Sequence, residues 1–415
     1  MTNETSRDVL RLGLSGDGVV ETPEGSVYVP GVLPGERVVM TGGEARRDLA
    51  FASPDRRPAP LCSHVERCGG CSLQHMGDAA YRHWKPSVLG EALRVQHIEA
   101  ELQPMVSVPL RSRRRAVLTA RRDGDEVALG FHGRRSAAIE SLSDCAILTP
   151  RIVAALPGLR QLGALLLTSK METHVTVIET PSGLDVAFEA GRADLAADSR
   201  HRITDAVGRQ RLARLSVGGD VFVAYGDPVL PVSGVGVVPP ASAFIQAAAE
   251  AEQAMAALAV AATAKAKHVA DLFCGLGTFT FALARRSHVL AIDSERTLID
   301  ALMRGARGAQ GLKPIESKVR DLFRDPLSVR ELDGFDAVVL DPPRAGAKAQ
   351  VEALAKSKVP IVVAVSCNPS TLARDLRCLI DGGYLLRHIT PVDQFLFTPH
   401  LEAVAVLERP RQRRR

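Results

Sequence analysis

A cysteine at the end of an apolar segment is the first residue of this chain that could do chemistry. Cys367 follows the apolar run 359–365, and Asn368 and Pro369 come next, in the pattern of a helix cap and a first turn. An open α/β sheet exposes its reactive groups at strand ends, and a helix N-terminus favours a thiolate over a thiol. We therefore predict that Cys367 is a nucleophile, whereas Cys378, inside the following helical pattern, is a core residue.

Two other polar motifs also follow apolar segments that are typical of strands. Residues 271–280 carry a Gly-x-Gly turn, and Asp293 ends the next predicted strand. Such a turn lets a ligand approach the backbone, and an acid in the second place can accept both ribose hydroxyls. The third glycine of a dinucleotide fingerprint is missing, which favours adenosylmethionine over NAD. Residues 341–344 (Asp-Pro-Pro-Arg) end a third strand, so a cofactor site, a substrate clamp and a thiol are predicted at one sheet edge.

A set of cysteines in the N-terminal half predicts a metal centre. Cys62, Cys68 and Cys71 are clustered, and Cys145 is the only other cysteine in that half. Four thiolates can bind one tetrahedral zinc ion or one four-iron cluster. Structural zinc sites usually use two close pairs, whereas three clustered ligands and one distant ligand fit a cluster at least as well. The spacing alone therefore leaves the metal open.

Length and composition indicate a globular protein of two or three domains. The chain has 415 residues, more than one domain usually holds, and its 46% hydrophobic and 24% charged residues are typical of a folded protein. No basic segment followed by an apolar one marks the N-terminus, and no stretch of 18 residues lacks charges or prolines. We expect a cytoplasmic monomer that does not bind membranes.

The order of apolar and turn segments predicts three domains. Residues 1–56 alternate short apolar runs with glycine turns, as in a small β-barrel, and the proline-rich segment 53–60 is typical of a linker. The central domain, 57–245, carries the cysteine set and a β-rich part with a helix near 150–168. The third domain, 246–415, follows an alanine-rich helix predicted over 241–264.

The third domain alternates strands and helices, which predicts a mostly parallel, doubly wound α/β sheet. Its predicted strands are 268–273, 288–292, 316–320, 335–340, 359–365, 384–390 and 402–407.

Arginines are concentrated in one short region, which suggests an RNA or DNA partner because phosphates are their usual counterparts. The cluster consists of Arg111, Arg113, Arg114, Arg115, Arg121, Arg122, Arg134 and Arg135. The basic C-terminal tail, 409–415, is better explained as a solvated end of the chain.

Taken together, these motifs resemble the bacterial RNA uracil-5-methyltransferases over nearly the whole chain. The resemblance rests on the cysteine set, on Phe244 and Gln246, on the glycine turn, and on the motifs 341–346, 366–369 and 398–402. It implies a class I (Rossmann-like) adenosylmethionine-dependent catalytic domain, a TRAM-like RNA-binding barrel at the N-terminus and a [4Fe-4S] cluster on the four cysteines. The transfer RNA enzyme of the family lacks the barrel and the cluster, so the resemblance favours 23S ribosomal RNA as the substrate.

The resemblance also implies roles for individual residues. Cys367 is the implied nucleophile that adds to C6 of uracil, and Glu402 is the implied base that removes the C5 proton, with His400 as the second candidate. The residues implied to contact or border adenosylmethionine are Gln246, Phe273, Thr278, Asp293 and Asp341. The family usually has Asn in the place of Thr278 and Glu in the place of Asp293, so these two side chains have a shorter reach.

Three other functions fit parts of the pattern. The chain could methylate transfer RNA, it could methylate a nucleobase nitrogen, or it could be a metal-containing RNA-binding protein whose methyltransferase domain is silent. Cys367 and Glu402 argue against the last two, because neither function needs a thiol paired with a base.

Overall fold

The structure is a computed structural model that describes residues 4–41, 44–191 and 197–410. The last five residues of the basic tail therefore lie outside the described part. Within the described ranges, we find no helix that is both long enough and apolar enough to span a membrane.

The N-terminal unit consists of two small antiparallel sheets, β1-β5-β6 and β2-β3-β4. The strands are β1 (Thr5–Asp8), β2 (Arg11–Leu12), β3 (Gly18–Thr22), β4 (Gly25–Val29), β5 (Arg37–Thr41) and β6 (Glu44–Arg47). Five valines form its core: Val9, Val20, Val29, Val32 and Val38. The segment predicted as a small β-barrel is thus β-rich, and its strands form two separate three-stranded sheets.

The proline-rich segment that follows is irregular, as expected of a linker, but its two central arginines are bonded to neighbouring parts of the chain. Arg56 Nη2 donates to the buried Glu36 Oε2 at 2.6 Å, and the backbone N–H of Arg57 donates to His75 O at 2.8 Å. A buried carboxylate without a partner is costly, so this ion pair holds the segment against the N-terminal unit.

The middle of the chain forms a seven-stranded sheet with the order β10-β9-β8-β11-β12-β13-β14. Its elements are β8 (Arg115–Asp123), β9 (Glu126–His132), β10 (Ile139–Ser141), α2 (Pro150–Leu166), β11 (Glu172–Thr180), β12 (Gly183–Phe188), α3 (Ala197–Arg209), β13 (Leu212–Val217) and β14 (Asp220–Ala224), and they are preceded by α1 (Asp78–Val95) and β7 (Val106–Ser107). All pairs except β12 and β13 are antiparallel. The predicted β-rich region with a helix near 150–168 is present.

The C-terminal part contains an eight-stranded sheet with the order β19-β18-β17-β20-β21-β23-β22-β7. Its elements are β15 (Leu230–Val232), β16 (Val235–Val237), α4 (Ala249–Ala262), β17 (His268–Leu272), α5 (Thr278–Ala284), β18 (His288–Asp293), α6 (Arg296–Gly308), β19 (Ile315–Val319), α7 (Val329–Leu332), β20 (Ala337–Leu340), α8 (Lys348–Lys356), β21 (Ile361–Ser366), α9 (Pro369–Asp381), β22 (Leu385–Asp393) and β23 (Glu402–Glu408). Each predicted strand overlaps one of the seven strands β17 to β23, and the predicted doubly wound sheet is confirmed.

The sheet topology places the carboxyl ends of several strands at one edge of the sheet. The neighbouring strands β17, β18, β19, β20 and β21 are parallel, and β23 is antiparallel to both β21 and β22. The carboxyl ends of the parallel strands therefore lie at the same edge as the amino end of β23, where Glu402 begins the strand. This is the edge at which α/β sheets bind ligands.

The alanine-rich helix begins later than its composition suggests. The prediction of a helix from 241 is wrong for its first eight residues, because α4 begins at Ala249. The preceding residues bond instead to the central sheet: Arg114 N donates to Ala247 O at 2.9 Å, and Arg113 forms a β-bridge with Ala248. Tertiary hydrogen bonds outweigh the small helix propensity of a few alanines.

A buried ion pair attaches α1 to the C-terminal sheet. Lys85 Nζ lies 2.9 Å from Asp393 Oδ1, and both side chains are fully buried. Tyr81 Oη donates to Asp393 Oδ2 at 2.6 Å, and Lys85 Nζ also donates to the carbonyls of Phe395 and Thr398. The loop between β22 and β23 is thus fixed by α1, although α1 lies in the predicted central segment. The boundaries of the three predicted domains stay predictions.

Candidate active site

The glycine turn after β17 has the backbone shape of a nucleotide-binding loop. Phe273, Gly275 and Gly277 have φ values of 61°, 53° and 97°, and α5 starts at Thr278. A Cβ built on Gly277 would lie 2.7 Å from the Phe281 ring, so only glycine fits there, whereas a Cβ on Gly275 would meet no atom within 4 Å. The backbone at Gly275 is therefore open to a ligand.

Asp293 closes this turn from the neighbouring strand. Its Oδ2 accepts from Gly275 N at 3.0 Å, and its Oδ1 accepts from Glu295 N at 2.9 Å. The carboxylate stands at the end of β18, where the sequence places it, next to the open backbone. Thr278 contributes its carbonyl oxygen to a 2.7 Å hydrogen bond from Ser233 Oγ in the β15–β16 turn.

Two residues beside the turn were not among the predicted site residues. Asp271 is buried, its Oδ2 accepts from Thr280 Oγ1, and its Oδ1 has no hydrogen-bond partner in the part of the chain that the structure describes. Burial, together with the charges of Asp341 and Asp293, raises its pKa to about 7. Phe323 packs its ring 5.4 Å from that of Phe273. Asp271 lies within the quoted motif, but no pattern in the sequence singles out Phe323, which is brought there by the chain after β19.

A chain of hydrogen bonds links the end of β20 to the start of β23. Gln246 Nε2 donates to Asp341 Oδ2 at 3.1 Å. Gln394 Nε2 donates to Gln246 Oε1 at 2.7 Å and to Glu402 Oε1 at 3.0 Å. Gln246, Gln394 and Glu402 are buried. The predicted residues Gln246, Asp341 and Glu402 are thus connected through Gln394, which the sequence analysis missed although it follows the end of β22.

Cys367 and Glu402 stand at neighbouring positions of the same edge. Ser366 and Ala403 are partners in the β21–β23 ladder, so the next residues outward, Cys367 and Glu402, face each other across it. Asn368 caps α9 as predicted, because its side chain accepts from Ser370 N. The Asn368 amide also donates to Arg344 O at 3.0 Å, which joins the 341–344 motif to the cysteine.

The ionisation of this pair differs from the expectation for a cysteine at a helix N-terminus. Burial raises the pKa of Cys367 to about 11, the negative charges of Glu402 and Asp341 act in the same direction, and Arg344 opposes them. The prediction that the helix dipole favours the thiolate is therefore wrong for the protein alone, because burial and two carboxylates outweigh the dipole.

Glu402 is also buried, and its ionisation is shifted in the same direction. Burial raises its pKa well above the ordinary range, the charge of Asp341 adds to this, and the bond from Gln394 and the charge of Arg344 oppose it. Its Oε2 is buried and has no partner among the described residues. His400, the second candidate base, is exposed at the surface. Partial desolvation of its ring lowers its pKa, and the positive charges of Arg344 and Lys85 act in the same direction. Glu402 is the better placed of the two to accept a proton at the sheet edge.

The fold brings the distant Cys145 to the other three cysteines of the set. All four are buried, and burial raises the pKa of Cys71 to about 12, with the charges of the other three adding to it. Two backbone groups donate to sulfur: Gly70 N to Cys68 at 3.3 Å and His64 N to Cys62 at 3.4 Å. Among the described residues, no group of three or more His, Cys, Asp or Glu side chains is arranged to hold a metal ion.

The loop that carries Cys62, Cys68 and Cys71, here called the cysteine loop, contacts the loop that precedes Glu402. Ser72 N and Leu73 N both donate to Phe397 O, at 2.9 and 3.0 Å, in the loop that precedes Glu402. The loop itself is held by Arg134, which donates to Cys68 O and Cys71 O. A change in the conformation of the cysteine loop would therefore reach the segment 394–402.

The arginine cluster divides into two groups. Five of its members are partly buried and donate to acceptors within the protein: Arg113, Arg114, Arg115, Arg122 and Arg134. The phosphate-binding interpretation does not apply to these five, because a guanidinium bonded to internal carbonyls is not available to an RNA backbone. Arg111, Arg121 and Arg135 are exposed and can contact phosphates.

The chain is similar to known RNA methyltransferases over its whole length. The family profile of tRNA (Uracil-5-)-methyltransferase matches residues 168–410. An uncharacterized RNA methyltransferase of Brucella suis is 45% identical over 99% of this chain and 100% of its own length. A 23S rRNA (uracil(1939)-C(5))-methyltransferase of Chromohalobacter salexigens is 32% identical over 98% of this chain and 89% of its own length.

The fold is also that of a solved structure. The crystal structure of Pyrococcus abyssi tRNA (uracil-54, C5)-methyltransferase, in complex with S-adenosyl-L-homocysteine, matches with a TM-score of 0.75 and 23% identity. The match covers 97% of this chain and 99% of that chain.

Proposed function

This chain belongs to the RNA uracil-5-methyltransferase family and is an adenosylmethionine-dependent enzyme, and from that premise we propose that it methylates C5 of a uridine in 23S ribosomal RNA through a covalent adduct with Cys367. The observation that carries the proposal is the placement of Cys367 and Glu402 one position beyond the last pair of the β21–β23 ladder, close enough for the charge of Glu402 to raise the pKa of the thiol. The enzyme acts in the cytoplasm as a monomer.

The cofactor site consists of the residues around that turn. The open backbone at Gly275 and the carboxylate of Asp293 fit a nucleoside, and the unpartnered Oδ1 of Asp271 offers a further acceptor. Gln246, Phe273, Thr278 and Asp341 complete or border the site. Bound adenosylmethionine supplies a methyl group as an electrophilic carbon.

Cys367 makes C5 of uracil reactive. C5 alone is a weak carbon nucleophile, so the Cys367 thiolate adds to C6, forming an S–C6 bond while the C5–C6 double-bond electrons move toward the C4 oxygen. C5 then carries the electron density that takes up the methyl group. Because the pKa of Cys367 is raised, the thiol must give its proton to solvent before it attacks C6, and the positive charge of Arg344 favours that loss.

Glu402 completes the reaction. After methylation, the proton on C5 passes to the free Oε2 of Glu402, the C5–C6 double bond forms again, and the S–C6 bond breaks to return the thiolate. A base within an RNA helix cannot reach this edge, so the target uridine is single-stranded or flipped out of its stack.

The choice of 23S ribosomal RNA is supported by the relative from Chromohalobacter salexigens and by the N-terminal β-rich unit together with the four cysteines. The name of the solved structure points instead to transfer RNA, although at 23% identity it shows the fold alone.

Mapping of 5-methyluridine by mass spectrometry in a strain that lacks this gene decides between these substrates. We expect one or more 5-methyluridines of 23S ribosomal RNA to disappear, and to return when the wild-type gene is restored. Loss of the modification from transfer RNA alone would overturn the 23S assignment, and loss of a methylated nitrogen would overturn C5 chemistry.

We further propose that Cys62, Cys68, Cys71 and Cys145 hold a [4Fe-4S] cluster. The donor set fits: four buried thiols lie together, and burial with the charges of neighbouring members of the set raises the pKa of Cys68, Cys71 and Cys145. Two of the four receive backbone N–H groups, and thiolates are the usual ligands of such clusters. Metal binding would also couple the folding of the 62–71 loop to that of the segment around Cys145.

Protein purified without oxygen is expected to contain about four irons and four sulfides per chain and to absorb broadly in the brown region. Cys145→Ser should reduce the iron content and lower the melting temperature, because it removes the ligand that joins the 62–71 loop to the central sheet. Cys274→Ser, at a buried cysteine outside the set, is the matched control and should keep the iron. Stoichiometric zinc without sulfide would contradict the cluster.

A further inference from the structure

Gln394 occupies the centre of the buried network and uses both ends of its amide. Its Oε1 accepts from Ala247 N at 2.9 Å, while its Nε2 donates to Gln246 Oε1 at 2.7 Å and to Glu402 Oε1 at 3.0 Å. The side chain is 3% exposed. A buried amide with three hydrogen bonds has one orientation, because a flip would bring two donors or two acceptors together.

The backbone of Ala247 sets the direction of every bond in the network. Its N–H can only donate, so the atom of Gln394 that faces it is the oxygen, and the nitrogen must face Gln246 and Glu402. Gln246 then accepts through its oxygen and presents its own nitrogen to Asp341. Glu402 Oε1 is occupied as an acceptor, which leaves only Oε2 free.

The backbone segments on both sides of Gln394 are fixed by further buried contacts. On one side, Asp393 is fixed by Lys85 and Tyr81. On the other side, Arg114 donates to the carbonyl oxygens of Gln246 and Ala247. The Arg114 side chain is held in turn by an ion pair of 2.6 Å with the buried Glu252. The amide is therefore clamped between two elements that do not depend on the substrate.

We propose that Gln394 is a positioning residue that presents Oε2 of Glu402 as the single acceptor of the C5 proton. The proposal rests on the proposed role of Glu402 as the base. Gln394 donates to Oε1 of Glu402 and so prevents rotation of the carboxyl group. Through its bond to Gln246, which donates to Asp341, it also fixes the position of Glu402 relative to the cofactor end of the site. Its effect is thus on proton removal and release of the adduct, and not on attack by the thiol.

Gln394→Met tests the proposal, because methionine has nearly the same size but cannot hydrogen-bond to Ala247, Gln246 or Glu402 in this way. We expect methyl transfer in a single turnover to stay within about threefold of wild type, since Cys367 is unchanged. Release of methylated RNA from the adduct should slow by roughly tenfold to a hundredfold, the effect of losing one hydrogen bond to a charged group. Denaturing electrophoresis of the protein with labelled RNA follows both steps.

Gln394→Glu provides a second readout that a merely structural role would not change. The new carboxyl group can still accept from Ala247 N, but it faces Glu402 and the two share a proton at neutral pH. The pH at which adduct release reaches half its maximum should rise relative to wild type. A structural role would lower the amount of active enzyme and leave this midpoint in place.

Gln350→Met is the matched control. Gln350 is also fully buried and bonds both backbone groups of Leu327, but it is not part of the network. The Gln350→Met variant should have a lower melting temperature than wild type and should release the adduct at the wild-type rate. If Gln394→Met and Gln394→Glu both release RNA as wild type does while Glu402→Gln retains it, the positioning role is overturned and the base stands. If Glu402→Gln also releases RNA normally, the failure lies in the proposed base.

Discussion

The Cys367→Ala variant is expected to form no detectable 5-methyluridine, a loss on the order of 10⁴-fold or more, because without the S–C6 bond the carbon at C5 cannot take up a methyl group. Binding of adenosylmethionine should be close to wild type, since the site that we propose for it consists of other residues, among them the glycine turn, Asp293 and Gln246. The measurements are transfer of labelled methyl groups to RNA and titration of the cofactor by calorimetry.

Cys378→Ala is the control for this experiment. Cys378 is a partly buried cysteine of α9, the same helix that Cys367 precedes, and it should keep nearly full activity. RNA containing 5-fluorouridine should trap wild-type enzyme and the Cys378 variant as a covalent complex, because fluorine cannot leave C5 as a proton. Substantial methylation by Cys367→Ala, or trapping without Cys367, would contradict the covalent mechanism.

In the Glu402→Gln variant the reaction should stop after methyl transfer, before the adduct is released. Glutamine keeps the size of the side chain and can still bond Gln394, but it cannot accept the C5 proton. Thiol addition and methyl transfer should proceed, and release should slow by roughly 10²-fold to 10⁴-fold, the usual contribution of a general base. A complex of protein and methylated RNA should therefore accumulate and survive denaturing electrophoresis.

The pH dependence of release provides a test on the wild-type enzyme. Burial raises the pKa of Glu402, and only the carboxylate can take the proton. As the pH falls through that raised pKa, release should slow already near neutrality, and not only near the ordinary carboxyl pKa of about 4. Glu402→Gln should lose this dependence. Normal turnover by Glu402→Gln would show that another group is the base, and His400→Asn would then be the next variant.

The sheet was predictable because each strand is a continuous apolar run. Strands buried on both faces need such runs, and the helices between them set the parallel order. The strand-end rule then placed Asp293, Asp341 and Cys367 at one edge, where the structure has them. The same rule, applied to β22, would have pointed to Gln394.

Two expectations were wrong because they used local patterns alone. The alanine-rich helix was extended to 241, but residues 246–248 bond to the central sheet. The dipole of α9 was expected to lower the pKa of Cys367, but the charges of Glu402 and Asp341 come from other strands. The residues adjacent in sequence do not indicate which distant residues will supply such hydrogen bonds and charges.

The sequence by itself therefore determined the elements, their order and the residue types that can do chemistry, because hydrophobic periodicity and turn residues act over short distances along the chain. Only the tertiary structure decided that Cys145 joins cysteines more than 70 positions away, that Arg113 and Arg114 are occupied internally, and that the amide of Gln394 donates to the carboxyl group of Glu402. These features depend on where buried donors find acceptors. That pairing is settled when the whole chain packs, since each buried polar group must be satisfied by whichever partner the fold brings to it.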